Sequence, residues 1–322
     1  MTTSFSFFSG LKPSRAGQLA GLLLLAGGFL SSCADRPADE SVPQATTQTA
    51  DLTSGLGNGV NLQPSYYNNG NPNFGWSLMK QQSRIRTVRI EIEPDKVSQA
   101  KNWISQAKAN GYAVIATYHK SSVLGSNNTG ELTAAANWWK ANYGALGGGF
   151  TVNLINEWGG HDLSADAYAR AYNSAIATVR QVYGGPIIID CPGYGQETAT
   201  TAAAVKGYNS TRINDTNIIL SVHVYPNGYN QGKNHYLQNA DLDDLASAGR
   251  PCLIGEFGYA PSGPVNWQGV VNYAKGKGWT VLGWAWNGDG GGMNMVNPSW
   301  ASNAGATSFT LSSYFSQVYN LL

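Results

Sequence analysis

Leu154-Ile155-Asn156-Glu157-Trp158 and Leu253-Ile254-Gly255-Glu256-Phe257 are two runs of apolar, β-prone residues, each broken by a glutamate near its end. A run of this kind reads as a strand covered on both faces. In a parallel sheet, the C-terminal ends of such strands are where polar side chains gather. From about Leu56 onward the same pattern recurs, alternating with stretches of helical periodicity. The strands are expected at 59–62, 86–92, 112–119, 150–157, 186–191, 217–225, 251–257 and 279–286. Ile187-Ile188-Ile189 and Ile218-Ile219-Leu220 have the continuous apolar character of strands packed on both sides.

Helical periodicity fills the intervals. The stretch 95–110 repeats apolar residues at Val97, Ala100, Trp103, Ile104 and Ala107. The stretch 164–183 does so at Ala167, Ala171, Ala175, Ala177 and Val179, with Ser164 as N-cap, and 266–277 does so at Val270, Val271 and Ala274. Gly111, Gly184, Gly249 and Gly278 stand where helices should stop. Eight β/α units in roughly 270 residues match the size of a (β/α)8 TIM barrel, so one α/β domain is expected over 52–322. A doubly wound open sheet is the alternative. It would show a glycine-rich turn after its first strand, whereas Gly57-Asn58-Gly59 precedes it. No internal repeat is evident.

If the barrel closes, its strand ends meet in one crater. In chain order they bring Arg89 and Glu91, His119, Asn156 and Glu157, Asp190 with Tyr194, His223 and Tyr225, Glu256, and then Trp284 and Trp286. Core packing does not account for polar residues recurring at one end of otherwise apolar runs. Two facing carboxyls suit glycoside hydrolysis, one as acid and one as nucleophile. Arg89 and the Tyr225 hydroxyl are placed to keep Glu256 ionised, Asn156 to donate to a sugar hydroxyl, and Trp284 or Trp286 to floor the sugar being cleaved.

Asn156-Glu157 on strand four, His223-x-Tyr225 on strand six, Gly255-Glu256-Phe257 on strand seven and Trp284-x-Trp286 on strand eight resemble glycoside hydrolase family 5, a retaining family. The resemblance runs from about Leu56 to the C-terminus. It implies Glu157 as acid/base and Glu256 as nucleophile, with Arg89, His119, His223 and Tyr225 in support. Asn156-Glu157-Trp158-Gly159, Asp190-x-x-Gly193-Tyr194-Gly195-Gln196 and Trp284-Ala285-Trp286-Asn287-Gly288 are similar to the bacterial endo-β-1,4-mannanases of that family. Lys120 departs from the aspartate usual after the strand-three histidine, and Arg89-Ile90-Glu91-Ile92-Glu93 is unusually acidic. These departures keep a β-1,4-glucanase as the alternative. A polysaccharide-binding barrel without catalysis would be expected to lack one of the carboxylates.

Composition fits a neutral, carbohydrate-handling protein. Lys+Arg 20 and Asp+Glu 19 leave a net charge of +1, which offers no basic stripe for nucleic acid. Ten tryptophans suggest a core with some rings left over as sugar platforms. With four histidines and Gly-Val-Asn-Leu rather than His-x-His on strand one, neither a metal nor a cofactor is expected. Lys12 and Arg15 precede the apolar run 19–30, which is too short for a bilayer span but suits a secretory leader. Leu30-Ser31-Ser32-Cys33 looks like a lipobox. The expectation is therefore a lipoprotein signal peptide over 1–32, lipid attachment at Cys33 and a flexible tether over 33–51, giving a monomer held to the bacterial cell envelope. Cys191 and Cys252 are expected as buried free thiols.

Overall fold

The structure, a computed structural model, describes residues 55–207 and 211–322. The expected leader, Cys33 and the tether lie outside the described residues. Eight parallel strands follow one another as β1 (Gly59–Leu62), β2 (Thr87–Ile92), β3 (Ala113–Tyr118), β4 (Thr151–Asn153), β5 (Ile187–Asp190), β6 (Ile218–Val224), β7 (Cys252–Phe257) and β8 (Thr280–Asn287). They close in the order β1-β8-β7-β6-β5-β4-β3-β2. A helix follows each in turn: α1 (Trp76–Met79), α2 (Val97–Ala109), α3 (Thr129–Asn142), α4 (Ala165–Val179), α5 (Thr198–Lys206), α6 (Asn239–Ala246), α7 (Trp267–Gly276) and α8 (Phe315–Tyr319). This is the expected (β/α)8 barrel. Short antiparallel hairpins at Tyr229–Asn230 with His235–Tyr236, and at Val296–Asn297 with Thr310–Leu311, decorate the loops after β6 and β8.

Two apolar layers hold the barrel. Outward residues such as Val88, Ile90 and Ile92 join the large core between sheet and helices. A separate plug of Ile115, Ile188, Ile219, Leu253 and Leu282 fills the interior, with Leu56 against it. Burying each of these side chains contributes about 1.5–3 kcal/mol. Two residues further along the same strands, the interior turns polar at Thr117, Asp190 and Ser221, in line with the period of two. On β2, Thr87, Arg89 and Glu91 occupy the inward positions, which explains the alternating acidic stretch.

Strand β7 breaks the period. Val222 pairs with Ile254, but the next residue of β6, His223, pairs with Glu256. The extra residue is Gly255, a bulge of the kind found beside functional sites. It lets Glu256 follow Gly255 into the interior instead of turning toward the helices.

Two boundaries differ from expectation by more than two residues. Strand β4 ends its ladder at Asn153 rather than reaching Glu157. Glu157 adopts a left-handed φ of 48°, which ends the extended run. Asn156 and Glu157 therefore sit just past the strand. Helix α4 begins after its expected cap, Ser164, which accepts from Ala167 N, but stops at Val179. The Arg180 guanidinium then turns to Asp215 and to the carbonyls of Tyr183, Gly185 and Asn217. Gly184 thus lies in the loop, whereas Gly111 and Gly278 do take left-handed conformations at helix ends. Cys191 and Cys252 are buried and free.

The bulge leaves no room for a side chain at Gly255. A Cβ there would lie 2.3 Å from Ser221 Oγ and 2.9 Å from His223 Nε2. Gly255→Ala is expected to cost about 1–3 kcal/mol of stability by overpacking, measured by denaturant unfolding, and to lower activity by displacing His223.

Candidate active site

Arg89 is the hub of the barrel's open end and is almost wholly buried. Its Nε donates to Asn153 Oδ1 at 2.9 Å and its Nη2 to Asn156 Oδ1 at 2.5 Å. Its Nη1 reaches Asn61 Oδ1 at 2.9 Å, Glu91 Oε1 at 3.0 Å and Glu256 Oε1 at 2.9 Å. Arginine only donates, so Asn156 must turn its oxygen inward, which leaves its amide nitrogen available as a donor.

Glu256 and Glu157 face each other with His223 between them. One oxygen of each carboxylate and a ring nitrogen of His223 lie within 4.8 Å of one another. His223 Nδ1 is 2.7 Å from Glu157 Oε1 and 3.6 Å from Glu256 Oε1. Tyr225 donates to the other Glu256 oxygen at 2.8 Å. Burial alone would raise the Glu256 pKa, but His223, Arg89 and the Tyr225 hydroxyl outweigh it and hold that carboxyl below its usual range. At Glu157 the balance reverses. Burial raises its pKa, the His223 hydrogen bond only partly relieves this, and the charges of Glu256 and Asp190 add to the rise. His223 itself is pushed up to about 9, because Glu256, Asp190 and Glu157 overcome the effect of its burial. One small cluster therefore holds one carboxyl toward the ionised form and the other toward the protonated form.

His119 extends the network outward. Its Nε2 lies 3.3 Å from Glu91 Oε2, and its Nδ1 lies 2.9 Å from the Tyr66 hydroxyl and 3.3 Å from Glu93 Oε1. Burial would lower its pKa, yet Glu91 and Glu93 raise it. Lys120 points elsewhere, to Glu131 Oε2 at 2.8 Å. The three clustered donor atoms of Glu157, His223 and Glu256 would suit a cation by distance alone. Arg89, however, already sits against Glu256 and opposes a second positive charge there.

The structure brings together Arg89, His119, Asn156, Glu157, His223, Tyr225 and Glu256, with Trp284 only 9% exposed and its Nε1 donating to Asp289 at 3.0 Å. Trp286 does not join them. It is fully buried, donates to the Phe74 carbonyl at 2.9 Å and belongs to the outer core. None of the ten tryptophans is exposed; among the described residues the exposed aromatic rings are Tyr66, Tyr194, Tyr236 and Tyr259. Sequence alone does not mark Asn61 of β1 and Asn153 of β4, whose side-chain oxygens accept from Arg89, or Gln63, which donates to Glu91 at 2.8 Å. An amide inside a strand carries no local mark of such a role.

A family model described as cellulase (glycosyl hydrolase family 5) matches residues 72–290. A mannan endo-1,4-beta-mannosidase of Streptomyces lividans is 28% identical over 230 residues, which is 66% of this chain and 58% of that protein. The chain thus spans little more than half the length of that relative. The catalytic domain of a mannanase from Streptomyces sp. SirexAA-E superposes with a TM-score of 0.65 at 21% identity, over 83% of this chain and 85% of the other. The catalytic domain of a Thermobifida fusca endoglucanase gives 0.64 at 15% identity, over 82% and 90%. The fold is common to both kinds of enzyme. The family match spans more than half of the chain, and this protein belongs to glycosyl hydrolase family 5.

Proposed function

We propose that this enzyme is a retaining endo-β-1,4-mannanase in which Glu256 is the nucleophile and Glu157 the acid/base. The observation that carries the roles is the opposite bias of two carboxyls whose oxygens approach within 4.8 Å. That approach suits the roughly 5–5.5 Å separation of retaining pairs better than the roughly 6.5–9.5 Å of inverting ones. Glu157 gives its proton to the glycosidic oxygen while a Glu256 oxygen bonds to the anomeric carbon, and the leaving chain departs as an alcohol. Glu157, now ionised, takes a proton from water, whose oxygen displaces Glu256 and releases the sugar with net retention. Asn156 donates to the 2-hydroxyl and Trp284 floors the sugar being cleaved.

The Streptomyces lividans relative and the mannanase-like Asn156–Gly159 and Gly193–Gln196 segments favour mannan. A β-1,4-glucanase is the second reading, supported by the description of the matching family and by Lys120 in place of aspartate. Reducing-end release from mannan, glucomannan and carboxymethyl cellulose in parallel separates the two. Release from mannan but not from cellulose is the expected result, and release from cellulose alone would overturn the substrate while leaving the roles intact. Glu256→Gln is expected to lower kcat by about 10⁴-fold or more while still binding the polymer, and substantial residual turnover would refute its role.

The two pKa directions set the pH profile. kcat/KM falls on the acid side as Glu256 is protonated and on the alkaline side as Glu157 loses its proton. Tyr225→Phe removes a donor to ionised Glu256, so its pKa rises. The acid limb is then expected to move up by about one pH unit, read from kcat/KM profiles.

The leader and Leu30-Ser31-Ser32-Cys33 support export and attachment through a lipid at Cys33, with the enzyme acting as a monomer at the cell envelope. Cys33→Ser is expected to move the enzyme from the membrane fraction to the soluble fraction. Unchanged membrane association would argue against the anchor.

A further inference from the structure

Glu91 is, like Asp190, a further carboxylate inside the barrel, and the double displacement assigns it no step. It follows Arg89 by two residues on β2, shares its inward face and is fully buried. Its Oε1 accepts from Arg89 Nη1 at 3.0 Å, the nitrogen that also serves Glu256 at 2.9 Å and Asn61 at 2.9 Å. That nitrogen carries two protons for three acceptors. Its Oε2 accepts from Gln63 Nε2 at 2.8 Å and faces His119 Nε2 at 3.3 Å. Burial raises the Glu91 pKa and the Glu256 charge adds to the rise, while His119, Arg89 and the Gln63 amide oppose it and favour the ionised form.

In the first chemical step, charge changes place. Glu256 becomes a neutral ester, and Glu157, having given up its proton, becomes the anion. His223 contacts both carboxyls and can follow the charge. Arg89 bonds to only one of them, Glu256. Once that partner is neutral, its remaining anions are Glu91 at 3.0 Å and Asp190 at 3.6 Å. A buried guanidinium losing its nearest anion would penalise the intermediate.

We propose that Glu91 is the standing counter-ion of Arg89, a positioning residue that keeps the guanidinium paired while Glu256 is esterified. In the free enzyme it also keeps Arg89 shared, so that Arg89 does not hold the Glu256 oxygen wholly to itself. The inference rests on Glu256 being the nucleophile. Neither the glycine bulge nor the apolar plug calls for a carboxylate at this position.

Glu256 is faced by Arg89 and Glu91 from β2, His119 past β3, Glu157 past β4, and His223 and Tyr225 from the end of β6, with Asp190 of β5 behind Arg89 and His223. Glu91→Gln removes one negative charge from this set and keeps the shape. Glu93 still holds the far side of His119, so the cation there persists. Glu256 then becomes easier to ionise. The acid limb of kcat/KM is expected to move down by about one pH unit, and the plateau to fall about tenfold.

Glu93→Gln is the comparison, because Glu93 touches His119 but not Arg89. It is expected not to move the acid limb down. A Glu91→Gln profile that superposes on the wild type overturns the proposal. So does an equal downward shift in both variants, which would place the effect on His119. Should Glu91→Gln fail to fold, Glu91→Asp, which withdraws the charge from Arg89, is read by the same limb with the same overturning outcome. Glu256→Ala assayed with and without azide tests the premise separately. Inactivity relieved by azide, with a glycosyl azide as product, supports the nucleophile. Full turnover without azide refutes the nucleophile and the counter-ion role together. An azide-rescued Glu256→Ala beside an unshifted Glu91→Gln refutes the counter-ion role alone.

Discussion

A guanidinium sealed inside a barrel must find its acceptors on the surrounding strands, and most of this site's order follows from that need. Removing a partner from a buried charge of this kind costs about 3–5 kcal/mol. Arg89 therefore fixes Asn61 on β1, Glu91 on its own strand, Asn153 on β4, Asn156 beyond it and Glu256 on β7. Those partners are committed in turn. The Asn61 amide nitrogen reaches the carbonyls of Gly255, Leu282 and Gly283, across the seam where the first and last strands meet. Asn153 passes its own donors to the Ile188 carbonyl and to Asp190. The network that orients the carboxyls thus also ties the barrel shut at its open end.

The opposite pKa shifts of the two glutamates need no difference in depth, since both are nearly buried. They come from what each one faces. Glu256 looks toward the cationic side of the barrel and accepts from a phenol as well. Glu157 lies past the end of a short strand, shares His223 with its partner, and stands near Asp190, whose carboxylate accepts from the Glu157 backbone nitrogen at 3.1 Å. Both carboxyls share His223 of β6, but only Glu256 is within reach of Arg89 of β2 and of the Tyr225 hydroxyl, and those two contacts separate the proton affinities.

Much of this was readable in advance. The eight barrel strands lie where they are expected, several of them as near-continuous apolar runs, because covering on both faces leaves a strong compositional trace. Arg89, His119, Glu157, His223 and Glu256 stood out because they interrupt such runs at one end. The rest depends on contacts between distant segments. Asn61 and Asn153 look like any strand asparagine until Arg89 is placed between them. Trp286 shares its motif with Trp284, yet it donates to the carbonyl of Phe74, which lies in the loop after β1. The early end of β4 reflects the left-handed turn at Glu157, a conformation that a glutamate does not announce. Glu91 and Glu93 read as an oddity of composition; alternation in the closed barrel turns the first into an interior group.

The bulge at Gly255 has a consequence for how many functional groups such an interior can hold. In a regular eight-stranded barrel, alternate strands supply four inward side chains to each layer. That quota limits how much chemistry can be packed at one height. By admitting one unpaired residue, β7 slips its phase by half a pleat, and the barrel gains an inward position that its lattice does not otherwise provide. Because the added residue is a glycine, its absent side chain leaves the volume that His223 occupies. The seat of Glu256 is thus a phase defect: were β7 to keep regular alternation through Gly255, the same carboxylate would turn toward the helices.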